Sequence, residues 1–134
     1  MINCLGKLVN KVRDEQSISN ILKHMQNYNG ADWKEYIIYN KYNSYATFPL
    51  YKNKMIEIKL IGLDSRYYYQ TNNHSWIKVL ENDIIINEQI QINNKVSRLY
   101  YKTITPSFPL CKLKPNNILI PKSDPTGSIH LIIL

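Results

Sequence analysis

The sequence predicts an α+β chain that is mainly β, with short N-terminal helices followed by a small antiparallel β-barrel or sandwich. Three observations carry this expectation. Up to Met25 the apolar residues recur at three- and four-residue spacings. From about Tyr45 onward β-branched and aromatic residues dominate and partly alternate. Turn residues punctuate that second part at short intervals, the pattern of an all-β unit rather than of strand–helix repeats. A chain of 134 residues has room for one domain with a sizeable core and not for two. The helical part is expected over residues 1–40 and the β part over 41–134.

The first helix follows from Ile2, Leu5, Leu8, Val9 and Val12, which line one helical face. Ser17 can cap a second helix whose stripe is Ile18, Ile21, Leu22 and Met25, and Asn29-Gly30 stops it. Asp32 can cap a short third turn carrying Trp33 and Tyr36. Strands then begin at Tyr45 and continue as Met55–Leu60, Arg66–Gln70, Ser75–Glu81, Asp83–Gln91, Val96–Thr105, Asn117–Pro121 and Ile129–Leu134. The turn signals between them are Leu63-Asp64-Ser65, Thr71-Asn72-Asn73, Glu81-Asn82-Asp83, Asn93-Asn94 and Asp124-Pro125-Thr126-Gly127.

Composition narrows the function classes. No apolar run is long enough to span a bilayer, and Lys7, Asn10 and Lys11 interrupt the N-terminal segment, so no signal peptide or membrane association is expected and the chain is read as cytoplasmic. Cys4 and Cys111 make no disulfide framework and no metal-spaced cluster. The lean to Ile, Asn, Lys and Tyr is that of an AT-rich genome, as in a parasite or a large DNA virus. A net charge of +7 with eleven tyrosines would suit a nucleic-acid binder, because cations neutralise phosphates and rings stack on bases. The basic residues are scattered, however, and only Arg13, Arg66 and Arg98 carry the bidentate fork. Nucleic acid is therefore an alternative partner and not the favoured one.

Phosphate-cradling glycine loops, nucleophile elbows, Cys-x-x-Cys pairs and His-Glu-x-x-His runs are all absent. His24, His74 and His130 stand far apart, and a lone histidine is more often a surface or satisfied core residue than a ligand. The acidic residues Asp64, Glu81, Asp83, Glu88 and Asp124 fall in turns or on presumed solvent faces.

One stretch says more. Gln70 to Asn82, with His74-Ser75-Trp76-Ile77-Lys78-Val79-Leu80-Glu81 at its heart, resembles the first motif of the cysteine dioxygenase (thiol dioxygenase) family of cupins. Leu113-Lys114-Pro115-Asn116-Asn117-Ile118, followed by Asp124-Pro125-Thr126-Gly127-Ser128-Ile129-His130, resembles the second. The helical residues and the run Tyr28, Trp33, Tyr36 and Tyr45 fall where that family carries its helices and first strand, so the resemblance covers nearly the whole chain. It implies a cupin fold and, in active members, iron(II) held by three imidazoles.

The departures from that pattern imply lost chemistry. The first two ligand positions fall on Tyr68 and Gln70, and only His130 is kept. The substrate-carboxylate arginine falls on Thr47, whose hydroxyl cannot replace a guanidinium fork. The cross-linking cysteine falls on Ser75, and the loop from Leu63 to Arg66 is short. The sequence ends at Leu134, before the family's later strands and their catalytic tyrosine. The resemblance thus implies a degenerate, C-terminally shortened member: a pseudoenzyme without catalytic residues, metal or other cofactor, acting as a structural or protein-interaction module. An active thiol dioxygenase with a site rebuilt on His74 and His130 is the enzymatic alternative.

Two further expectations concern surfaces. Tyr45, Tyr68, Gln70, Tyr101 and His130 are the candidate lining of an emptied pocket that could hold a small ligand. Ile129, Leu131, Ile132, Ile133 and Leu134 are too apolar for a frayed tail. They are therefore expected to be buried within the chain or in a partner, and are candidate interface residues on an unpaired edge, for a homodimer or another protein partner.

Overall fold

The structure, a computed structural model, describes residues 1–37, 45–64, 68–92, 95–123 and 125–134. The expected Asn93-Asn94 turn, Ser65, Arg66, Asp124 and the boundary at residue 40 lie outside the described residues.

Helix α1 spans Leu5–Arg13 and α2 spans Ile18–Asn27. Leu5, Leu8 and Val12 bury one face of α1, while Ile21 and Met25 bury the facing stripe of α2. The Ser17 hydroxyl accepts from the Asn20 backbone N–H at 3.4 Å, as an N-cap should. The segment before α1 pairs with the end of α2: the Ile2 N–H donates to Asn27 O at 3.1 Å and the Asn29 N–H to Ile2 O at 2.9 Å. Gly30 permits this approach, since a β-carbon there would stand 2.3 Å from Asn3 O.

Asp32 does not cap its own turn. It lies within a short 3-10 turn, Asp32–Glu35, and serves a different helix. Its Oδ2 accepts from the Leu5 N–H at 2.8 Å, and its Oδ1 accepts from the Tyr28 hydroxyl at 2.5 Å. A carboxylate at the first amide of α1 satisfies an otherwise orphaned donor and complements the positive end of the helix dipole.

Among the described residues nine strands follow: β1 Tyr45–Lys52, β2 Ile56–Leu63, β3 Tyr69–Gln70, β4 Ser75–Glu81, β5 Ile84–Ile92, β6 Lys95–Ile104, β7 Cys111–Leu113, β8 Ile118–Pro121 and β9 Thr126–Ile133. They form a five-stranded sheet in the order β1-β2-β9-β4-β7 and a four-stranded sheet in the order β3-β8-β5-β6, with every described pairing antiparallel. Among the described residues no ladder joins one sheet to the other, so the β part is a sandwich and not a closed barrel.

The apolar residues build two cores. Ile56, Ile58, Leu60, Ile129 and Leu131 face outward from the five-stranded sheet, and the helices with Tyr28 and Trp33 cover them. Ile61, Leu63, Ile77 and Val79 face inward against Ile84, Ile86, Ile104 and Leu119. This explains why β2 is buried nearly throughout: both faces of a central strand are covered.

Strand β9 corrects an expectation. It lies between β2 and β4 and is hydrogen-bonded on both sides, so it is not an open edge. Ile129 and Leu131 are fully buried in the helix-side core, Ile132 and Ile133 are half-buried, and only Leu134 is substantially exposed, at 50%. The apolar character of this segment is explained within the chain. The five-stranded sheet ends instead at β1, where Pro49 stands beside an irregularity in the ladder, and at the three-residue β7.

Candidate functional site

Strand alternation decides which side chains face the space between the sheets. On β2 these are Glu57, Lys59, Ile61 and Leu63; on β9, Ser128, His130 and Ile132; on β4, Ser75, Ile77 and Val79. Register sets them in rows. Lys59 lies opposite His130, which lies opposite Ile77, while Glu57, Ile132 and Ser75 form the next row.

His130 is completely buried. Its Nε2 lies 2.8 Å from Ser128 Oγ, and that hydroxyl donates to Ile61 O at 3.3 Å. Nδ1 has no hydrogen-bond partner among the described residues. The Tyr69 ring stands edge-on at 5.7 Å. Burial first, and the neighbouring Lys59 ammonium second, lower the His130 pKa to about 3, so the ring is neutral at physiological pH.

Beside His130 the two sheets part into a cleft of about 160 Å³, walled by Glu57, Lys59, Tyr69, Thr71, Ser75 and Leu134 among others. Lys59 Nζ lies 5.6 Å above the centre of the Tyr69 ring and 4.0 Å from Glu57 Oε1. Burial raises the Tyr69 pKa, with the Glu57 charge adding to it, so the phenol keeps its proton. Ser75 is buried and its Oγ has no hydrogen-bond partner among the described residues.

The structure separates the residues expected to act together. Tyr69 pairs with Leu119 and faces inward, so its neighbours Tyr68 and Gln70 do not: Tyr68 is 63% exposed and Gln70 points to the outer face with Ile118. Tyr101 lies opposite Asn87 on that same outer face and is 58% exposed. Tyr45 is exposed at the start of β1, its ring 5.5 Å from that of Tyr69, and Thr47 is exposed on the same edge strand. None of Tyr45, Tyr68, Gln70, Tyr101 and His130 lies on the wall of the cleft. His74 is exposed just before β4, and His24 bonds Glu15 at 2.9 Å on the helical layer.

The residues that do line the cleft escaped sequence reading for a simple reason. In Ile56-Glu57-Ile58-Lys59-Leu60 the alternation looks like a buried face and a solvent face. The helices take the apolar side, which turns Glu57 and Lys59 into the sandwich.

Comparison with known proteins reaches the fold. No family model matches the sequence, and no curated protein does. Among solved structures, a cupin superfamily protein from Desulfitobacterium hafniense DCB-2 superposes with a TM-score of 0.56 at 9% identity, over 78% of this chain and 90% of that one. Peruvianin-I, a cysteine peptidase from Thevetia peruviana latex, gives 0.55 at 15% identity over 77% and 69%. Iron(II)-bound HppE gives 0.52 at 11% identity over 72% of this chain and 54% of its own. The chain therefore has a cupin fold, a scaffold that carries unrelated activities.

An iron(II) centre like the one HppE carries is not matched by the donors here. The inward row offers one imidazole, a lysine ammonium that repels a cation, and an isoleucine. Among the described residues no three His, Cys, Asp or Glu side chains gather closely enough to hold a metal ion. The donor set does not fit the group.

Proposed function

We propose that this chain is a non-catalytic cupin-fold protein, a degenerate relative of the thiol dioxygenases kept as a structural or protein-interaction module. The observation that carries the reading is the row Lys59–His130–Ile77. Where an iron(II) cupin needs several neutral ligands converging on one point, this sandwich sets a cation and an aliphatic chain beside a solitary histidine. The outward placement of Tyr68 and Gln70 supports the same reading: Tyr68 is exposed before β3, and Gln70 cannot turn toward His130 without a shift of register.

A partner would add to a free strand edge and not to β9. Among the described residues the long β6 edge of the four-stranded sheet, Lys95–Ile104, pairs with no further strand and offers a row of backbone groups.

The test is metal content after expression with iron(II) supplied, with oxygen uptake on cysteine measured alongside. Substoichiometric metal and no uptake are expected. Stoichiometric iron with turnover would overturn the reading. Light scattering tests the assembly: a dimer that a Thr103→Pro substitution in β6 dissociates is expected. A dimer unaffected by that change would sink the β6 edge.

A further inference from the structure

We infer that the cleft between the sheets is a binding site for a small neutral polyol, recognised through a vicinal diol by Glu57, Lys59 and Ser75. Three observations converge on this chemistry.

The first is unspent hydrogen-bonding capacity. Lys59 Nζ and Glu57 Oε1 are 4.0 Å apart, whereas a direct charge-assisted bond closes to about 2.8 Å. Both side chains are largely removed from solvent, at 19% and 23% exposure, and neither makes a shorter polar contact among the described residues. The ammonium therefore has protons to donate and the carboxylate lone pairs to fill. Adjacent hydroxyls meet both needs at once, one accepting from Lys59 and the other donating to Glu57.

The second is the Ser75 hydroxyl, buried with no hydrogen-bond partner among the described residues, on a residue that lines the same wall. Buried polar groups are nearly always hydrogen-bonded, so one on a residue that lines a cleft marks the place of a missing partner. A hydroxyl can donate or accept, and so tolerates either end of a diol.

The third is charge and size. The wall carries one cation and one anion, so its field favours a ligand without net charge over a simple anion or cation. A cleft of about 160 Å³ admits about six non-hydrogen atoms, since a cavity of about 150 Å³ takes benzene. A three-carbon polyol, or the vicinal-diol end of a larger polyol or sugar, is of this size.

The rest of the wall is already fixed. Thr71 Oγ1 donates to Lys114 O at 2.5 Å, and Asn73 Nδ2 donates to Ile133 O at 2.6 Å. These bonds hold the loop between β3 and β4 across the mouth, so the site is formed before a ligand arrives.

The experiment is a titration of the full chain with erythritol and with ribose, followed by backbone amide NMR. Saturable shifts confined to the amides around Lys59, Tyr69 and Ser75 are expected, with none from 1-butanol. Glu57→Gln, a conservative change, should weaken binding about tenfold while the remaining spectrum is unaltered, and Ser75→Ala should weaken it several-fold. Absence of saturable shifts with both polyols, equal shifts with 1-butanol, or tighter binding of acetate or glycine than of either polyol would each overturn the inference.

Discussion

The ring of Trp33 occupies the space that a side chain on Gly127 would need. A β-carbon at Gly127 would stand 2.2 Å from Trp33 Cζ3, and Trp33 is itself buried against the outer face of the five-stranded sheet. The helical layer and the sheet thus touch at a point where only hydrogen fits.

Gly127→Ala must displace an indole packed in the core, and overpacking of this kind costs about 1–3 kcal/mol. Urea unfolding should show that loss. Gly6→Ala is the matched control: nothing lies within 4 Å of its added carbon, and the residue is inside α1. There alanine should stabilise by about 0.5–1 kcal/mol through helix propensity. Equal effects at the two glycines would refute the packing account.

Lys78 ties β4 to the carbonyl end of α2. Its ammonium donates to Gln26 O at 2.7 Å, to Met25 O at 3.1 Å and to Tyr28 O. Burial pushes its pKa down, and the helix carbonyls favour the charged form. Lys78→Met keeps the stem and strands those acceptors, so a loss of about 2 kcal/mol is expected. Hydrogen exchange should speed up first at the C-terminal turn of α2; unchanged exchange there would contradict the capping role.

His130 makes stability depend on pH in a stated direction. The folded ring resists protonation until about pH 3, while the unfolded one titrates near 6.5. Between those values the unfolded chain binds the extra proton, so stability falls as the pH drops, by up to about 1.4 kcal/mol per unit. Above that window the group's contribution is fully present. The slope of unfolding free energy between about pH 6 and pH 4 should be shallower in His130→Gln than in the parent. Identical slopes would show that the ring is accessible to protons in the folded state.

Ser75→Ala removes a buried hydroxyl that has no partner among the described residues. Its loss should therefore leave stability within about 0.5 kcal/mol of the parent or raise it. A loss of more than about 2 kcal/mol would mean the hydroxyl is engaged in solution and would also remove one support of the polyol site.

Much of the architecture was legible. The three- and four-residue spacings gave both helices, the β-branched runs gave most strands, and Ser75–Glu81 matches β4 at both ends. β7 was missed because Cys-Lys-Leu between two proline turns is too short for any alternation to register. β9 begins earlier than expected, since Thr126 and Gly127 look like turn residues but pair with Leu63 and Gly62. The site was less legible. His130 stands out through the Pro125 to His130 stretch, but the resemblance puts the first two ligand positions on Tyr68 and Gln70, one residue to either side of the inward-facing Tyr69. In a strand, one residue is the difference between the core and the solvent.

The central place of β9 also sets the order in which the molecule can be made. Among the described residues β2 and β4 are joined through it, and it supplies Ile129 and Leu131 to the core beneath the helices. On the ribosome, everything through β8 must wait with those two strand edges open and the helical layer half-seated until residues 126–133 emerge. Folding that depends on such distant pairing is slow, and its waiting state is open to aggregation.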